Sequence, residues 1–140
     1  MRLMRLEIEK NTKLLVRYGL CMALIATVEN LLFSYIATAK MLPRTEVKKL
    51  HGKTLGALIR EAKSVLNKNL FALLKKLNDE RIILAHGIVV EKKIFNKGRD
   101  ESKNGITNVR PFTLRELNKT IKGARSAGSQ LLKQIEKLIE

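Results

Sequence analysis

Along most of this chain apolar residues return at steps of three and four, the spacing that lines one face of an α-helix. The first run of this kind extends from near Glu7 to Met41 and stops ahead of Pro43, whose ring disfavours helical backbone at the residue before it. Residues 42–53, LPRTEVKKLHGK, read as a connector with room for one helical turn. Thr54 then offers its hydroxyl as a cap to TLGALIREAKSVL, with Leu55, Leu58, Ile59 and Ala62 as the apolar stripe. A third helix is predicted to start after Asn67 or Asn69, to turn Phe71, Leu74, Leu77 and Ile82 inward and Lys75 and Lys76 outward, and to end at Gly87.

The pattern then changes. Residues 88–95, IVVEKKIF, are rich in β-branched side chains and read as a short strand, and NKGRDESKNGITN after them is polar and glycine-bearing, a mobile loop. Thr113 opens the last helix with a capping box, because Glu116 lies three residues on and can reach back to the Thr113 amide. In that helix Leu114, Leu117, Ile121, Ala124, Gly128, Leu131, Ile135 and Leu138 form a seam, while Arg115, Lys119, Lys122 and Arg125 lie off it on a solvated face. The sum is an all-α fold. It is an up-and-down bundle of four to five helices in one domain, residues 1–140, with room for one short β-hairpin before the last helix and a variable loop about 88–112.

Composition sharpens this in three ways. At 140 residues the chain is one domain with a real core, and 8 Gly and 2 Pro are few enough to suit helices. The formal net charge of +15, from 28 Lys and Arg against 13 Asp and Glu, favours an anionic partner, either nucleic acid or a membrane surface. Cys21 is the only cysteine, which excludes an intrachain disulfide and a thiolate metal cluster and suits a reducing compartment. The first residues, MRLMRLEIEKNTKLLVRYG, mix acids with bases and lack the layout of a secretory signal, so a cytoplasmic protein is expected.

Residues 20–39, LCMALIATVENLLFSYIATA, are long enough to cross a bilayer and are flanked by Lys13, Arg17, Lys40 and Arg44. Glu29 and Asn30 sit at the middle of that run, where an acidic side chain costs about 2.5 to 3.5 kcal/mol on insertion scales. A soluble helix that packs on one side against its own domain and on another against a second copy accounts for the run better, so membrane attachment is the less favoured expectation.

The inventory of chemical groups is short. The chain has no glycine-rich phosphate loop, no HExxH and no cysteine pair, and two histidines do not make a His-rich metal site, so neither a metal nor a cofactor is expected. Cys21 sits in an apolar run that disfavours its thiolate. His51 in LHGK reads as a loop histidine without a role, and Arg110 as a surface residue. What remains is Arg81 and His86 in NDERIILAHG. In one regular helix residues five apart lie about 140° apart around the axis, so these two converge only if the helix ends or loosens near Ala85, or if two copies meet across a two-fold axis. Once together they suit RNA phosphodiester cleavage: an imidazole takes or gives a proton near pH 7, and a guanidinium holds the charged phosphorane.

ERIILAHG resembles the active motif of HEPN-domain proteins, an arginine followed after four to six residues by a histidine and often written RNxLAHG in relatives. The resemblance extends more loosely over a long first helix, the TLGALIRE helix, a variable loop and a TLRELN-type last helix. It implies a bundle that dimerises with two motifs facing one cleft, and a metal-independent endoribonuclease of a toxin or defence system that uses the RNA 2′-hydroxyl as nucleophile. Arg81 would bind the phosphate and His86 would transfer the proton. The position after the arginine, usually Asn, Asp or His in active members, is Ile82 here, so Asn78, Asp79 or Glu80 would have to supply the missing polar group. Ile88 stands where some relatives carry a modifiable tyrosine, and silencing by that route is not expected.

Around this motif Glu29 would pair with Arg81 and hold it. Lys75, Lys76, Lys92 and Lys93, with Lys97 and Arg99 beyond them, would form a rim that tracks phosphates. The expected partners are RNA, a second copy and a cognate antitoxin protein. A non-catalytic HEPN-like module that binds RNA or protein is the alternative, and a membrane-attached helical protein is a third reading.

Overall fold

The computed structural model describes residues 2–85, 87–90, 93–96 and 112–140, with side-chain environments for 11–85 and 112–140. Five helices and one hairpin make up these residues: α1 (Arg2–Ala39), α2 (Arg44–Leu50), α3 (Leu55–Ala62), α4 (Lys68–Ala85), β1 (Gly87–Val90), β2 (Lys93–Asn96) and α5 (Leu114–Ile139). The expected helical bundle is therefore present. The segment 88–95, read as one strand, holds parts of two antiparallel strands that pair Gly87 with Asn96 and Val90 with Lys93. Of the variable loop expected about 88–112, residues 91–92 and 97–111 fall outside the described residues.

Local chemistry sets most boundaries. The Ala57 amide donates to Thr54 Oγ1 at 3.3 Å, the Leu70 amide to Asn67 Oδ1 at 2.8 Å, and the Glu116 amide to Thr113 Oγ1 at 3.2 Å. Each hydroxyl or amide oxygen satisfies one of the orphan donors in a first helical turn.

α1 begins at Arg2, earlier than the apolar pattern alone predicted, and ends at Ala39 instead of Met41. Met41 adopts left-handed backbone, φ 50°. The Leu42 amide reaches the Ala37 carbonyl at 3.0 Å and the Met41 amide reaches the Thr38 carbonyl at 3.2 Å, the pair of bonds that closes a helix in a Schellman turn. Glycine is the residue suited to that backbone, and Met41, 87% exposed, makes little packing to lose. Relief of the left-handed strain outweighs the added chain entropy, so Met41→Gly is expected to raise stability by about 0.5 to 1 kcal/mol in urea denaturation.

The core runs along α1 from Leu14 to Ile36. Leu14, Cys21, Ile25, Val28, Leu32, Tyr35 and Ile36 are buried there, against Leu117, Ile121, Ala124, Ala127 and Leu131 of α5 and Leu70, Leu74, Leu77 and Leu84 of α4. Of the residues expected inward on α4, Phe71 and Ile82 are only half-buried, because Leu70 and Leu84 take the central positions. Leu138, expected on the α5 seam, is 45% exposed because it lies in the last turn, beyond the final buried residue of that helix, Leu131. Gly128 sits on Val28 and Leu31 where α5 meets α1.

Two phenols fix the direction of α4. Tyr35 donates to the Val65 carbonyl at 2.7 Å, just before α4, and Tyr18 donates to the Leu84 carbonyl at 2.9 Å, near its end, so α4 runs antiparallel to α1. By length and composition the stretch Asn11–Ala39, with mean hydropathy 1.7, is able to cross a membrane. In this fold one side of it is the bundle core.

Candidate functional site

Arg81 lies half-buried on the penultimate turn of α4. Its Nε donates to Asn78 Oδ1 at 3.4 Å, one turn back on the same face. Asn78 is itself set against α3. A Cβ placed on Gly56 would lie 3.0 Å from Asn78 Nδ2, so the missing side chain at Gly56 is what lets α4 bring its amide in so close. Of the three polar residues expected to support Arg81, Asn78 is the one that touches it.

The end of α4 is fixed as well. The helix is described to Ala85, and Gly87, expected to end it, is instead the first residue of β1. Leu84 is fully buried and its carbonyl takes the Tyr18 phenol, which ties this terminus to the middle of α1. His86 and Lys92 lie outside the described residues, and Lys93 is described by its backbone in β2.

Asp79 and Glu80 face elsewhere, since successive helical residues turn by about 100°. With Lys76 and Ile83 they form the α4 wall of a concavity of about 400 Å³, closed by Phe112, Glu116, Lys119 and Thr120. The buried Thr120 hydroxyl donates to the Glu80 carboxylate, which satisfies a polar group that burial would otherwise penalise. Burial, and then the negative charge of Glu80, push the Cys21 thiol up to about 11. Cys21 is thus a packed thiol and not a nucleophile. It is expected to resist iodoacetamide at pH 8 in the folded protein and to react once urea unfolds the chain. The sign of the linkage follows from the raised value: the folded state holds this proton more tightly, so stability is full below pH 9 and falls as pH rises towards 11.

Glu29 is not brought to Arg81, and no ion pair joins them. It is half-buried in a separate concavity of about 440 Å³ with Asn30, Ser34, His51 and Lys53, because its position on α1 faces the α2–α3 connection. His51, read as a loop histidine without a role, packs edge-on to Phe33 there, ring centres 6.0 Å apart. Lys75 and Lys76 are exposed, and Lys76 leads into the concavity of Asp79 and Glu80. Among the described residues no group of three or more His, Cys, Asp or Glu is placed to hold a metal ion.

The structure adds a cationic feature that the sequence presented only as a solvated face. Arg115, Lys119 and Lys122 line one depression on α5 with Leu114 and Asn118, and Lys119 also borders the concavity at Glu80. Their spacing was visible in the chain, but the meeting of Lys119 with α4 was not.

Comparison with known proteins finds no matching family model, no similar curated protein and no similar solved structure. Fold and site together define a basic helical bundle with a guanidinium positioned one turn from the end of its fourth helix.

Proposed function

We propose that this chain is a metal-independent endoribonuclease of a toxin or defence system, acting in the cytoplasm as a homodimer whose HEPN-like motif supplies Arg81 and His86. The observation that carries the reading is the change from helix, described to Ala85, to strand from Gly87. A helix continuing past the motif would hold residues 81 and 86 about 140° apart, and a backbone that is already a strand at Gly87 does not continue in that way. Asn78, bonded to Arg81, supplies from the preceding turn the polar support that Ile82 lacks.

In this mechanism His86 takes the proton of a ribose 2′-hydroxyl, and the 2′-oxygen attacks the adjacent phosphorus. Arg81 pairs with the non-bridging oxygens as charge builds on the phosphorane. The bond to the 5′-oxygen breaks as that oxygen gains a proton, leaving a 2′,3′-cyclic phosphate and a 5′-hydroxyl. A cognate antitoxin protein that covers the motif would complete such a system.

Ile82 also favours a second reading, a non-catalytic HEPN-like module that binds RNA or a protein. Overexpression of the parent and of His86→Ala in a bacterial host separates the two. The nuclease reading expects arrested growth and fragmented total RNA with the parent alone, whereas equal growth and intact RNA with both would favour the binding module.

A further inference from the structure

From Leu117 to Ile135 α5 carries no carboxylate, and Lys119, Lys122 and Arg125 are all exposed, as is Arg115 one turn earlier. The steps of four, three and three residues put these four cations on one face, a ridge about 120° wide around the axis. Their opposite face, Leu117, Ile121, Ala124, Ala127 and Leu131, is buried in the core, so the ridge cannot turn away from solvent. At a rise of about 1.5 Å per residue, neighbouring cations stand about 4.5 to 6 Å apart along the axis and the ridge spans about 15 Å. That separation is comparable with the distance between successive phosphates of an extended strand.

We propose that the Arg115, Lys119, Lys122 and Arg125 face of α5 binds the phosphodiester backbone of single-stranded RNA. The choice of RNA rests on the nuclease reading above, while the anionic partner follows from the ridge itself. A lipid surface fits less well. Interfacial helices insert an apolar face, but the apolar face of α5 is already in the core, and beside the cations the exposed residues Asn118, Ser126 and Ser129 are polar while Leu114 is half-buried. The ridge is also continuous with α4. Lys119 borders both the α5 depression and the concavity lined by Lys76, Asp79, Glu80 and Glu116, whose carboxylates keep a bound strand on the α5 side of that edge.

The test measures binding of a fluorescent single-stranded RNA to the full chain carrying His86→Ala, by anisotropy over a range of NaCl concentrations. One variant adds Arg115→Gln, Lys119→Gln, Lys122→Gln and Arg125→Gln, which remove charge while keeping helix propensity. A control removes the same charge from the α2–α3 side through Arg44→Gln, Lys48→Gln, Arg60→Gln and Lys63→Gln, all exposed positions. Thermal melts of both establish that they fold. The α5 variant is expected to lose on the order of tenfold to a hundredfold in affinity, and the slope of log K against log salt is expected to fall by about 2.8, at about 0.7 per phosphate contact. The control is expected to keep most of both. Equal losses in the two variants, an unchanged slope in the α5 variant, or binding to phosphatidylserine vesicles without binding to RNA would each overturn the proposal. A parent that binds RNA through α5 yet cleaves none would sink the nuclease reading and leave this one standing.

Discussion

Arg81→Ala is expected to slow RNA cleavage by about 100- to 1,000-fold, the usual consequence of removing one preorganised donor from a developing oxyanion. Arg81→Lys is expected to recover little of that loss, because an ammonium is a point charge and cannot reproduce the planar fork that grips two phosphate oxygens. The protein should remain folded in both variants. Arg81 is half-buried and its bond to Asn78 is long, at 3.4 Å, so the stability lost with it is about 0.5 kcal/mol. Single-turnover rates with a labelled RNA, set beside thermal melts, separate a chemical defect from a folding one. A rate that fell only in step with the melt would mean that Arg81 is structural.

Leu32→Ala is expected to destabilise the domain by about 2 to 5 kcal/mol. Leu32 is fully buried in the C-terminal part of α1, and its removal leaves a void that neighbouring helices can fill only in part. That loss is a large share of the roughly 5 to 15 kcal/mol that holds a domain together. Val16→Ala, on the same helix at a position 65% exposed, is expected to change stability by about 0.5 kcal/mol or less. Urea midpoints with an unchanged m-value measure both. The contrast also bears on the role of α1. A helix packed in a water-soluble bundle has one sensitive face and one tolerant face, and equal tolerance at Leu32 and Val16 would speak for a helix that faces lipid.

Features that depend on a few adjacent residues were legible in the chain. Thr54 and Thr113 cap helices in the structure because a hydroxyl next to a free amide needs no distant partner, and the stripe Leu55, Leu58, Ile59 and Ala62 is buried as its spacing predicts. The end of α1 was less legible, since the left-handed Met41 carries no glycine to announce it. Contacts between helices were the least legible. Asn78 and Arg81 are three residues apart and easily paired on paper, but the closeness of Asn78 to α3 depends on Gly56, some twenty residues upstream and on another helix. Glu29 was expected beside Arg81 as an acid in an apolar helix that would pair with the guanidinium and hold it. The rotation of α1, set by Cys21, Ile25, Val28 and Leu32 turning inward, sends it towards His51 instead. Asp79 and Glu80, adjacent in sequence to Asn78, were parted from Arg81 by nothing more than the turn of the helix.

The central claim, RNA cleavage by an Arg81 and His86 pair without a metal, is tested most directly by incubating the parent and His86→Ala with a labelled RNA in excess EDTA and analysing the fragment ends. The account predicts fragments with 2′,3′-cyclic phosphate ends from the parent, a rate lower by about 100- to 10,000-fold in His86→Ala, and no scission where the substrate carries a 2′-deoxyribose. Intact RNA with the parent, or equal cleavage by His86→Ala, would contradict it.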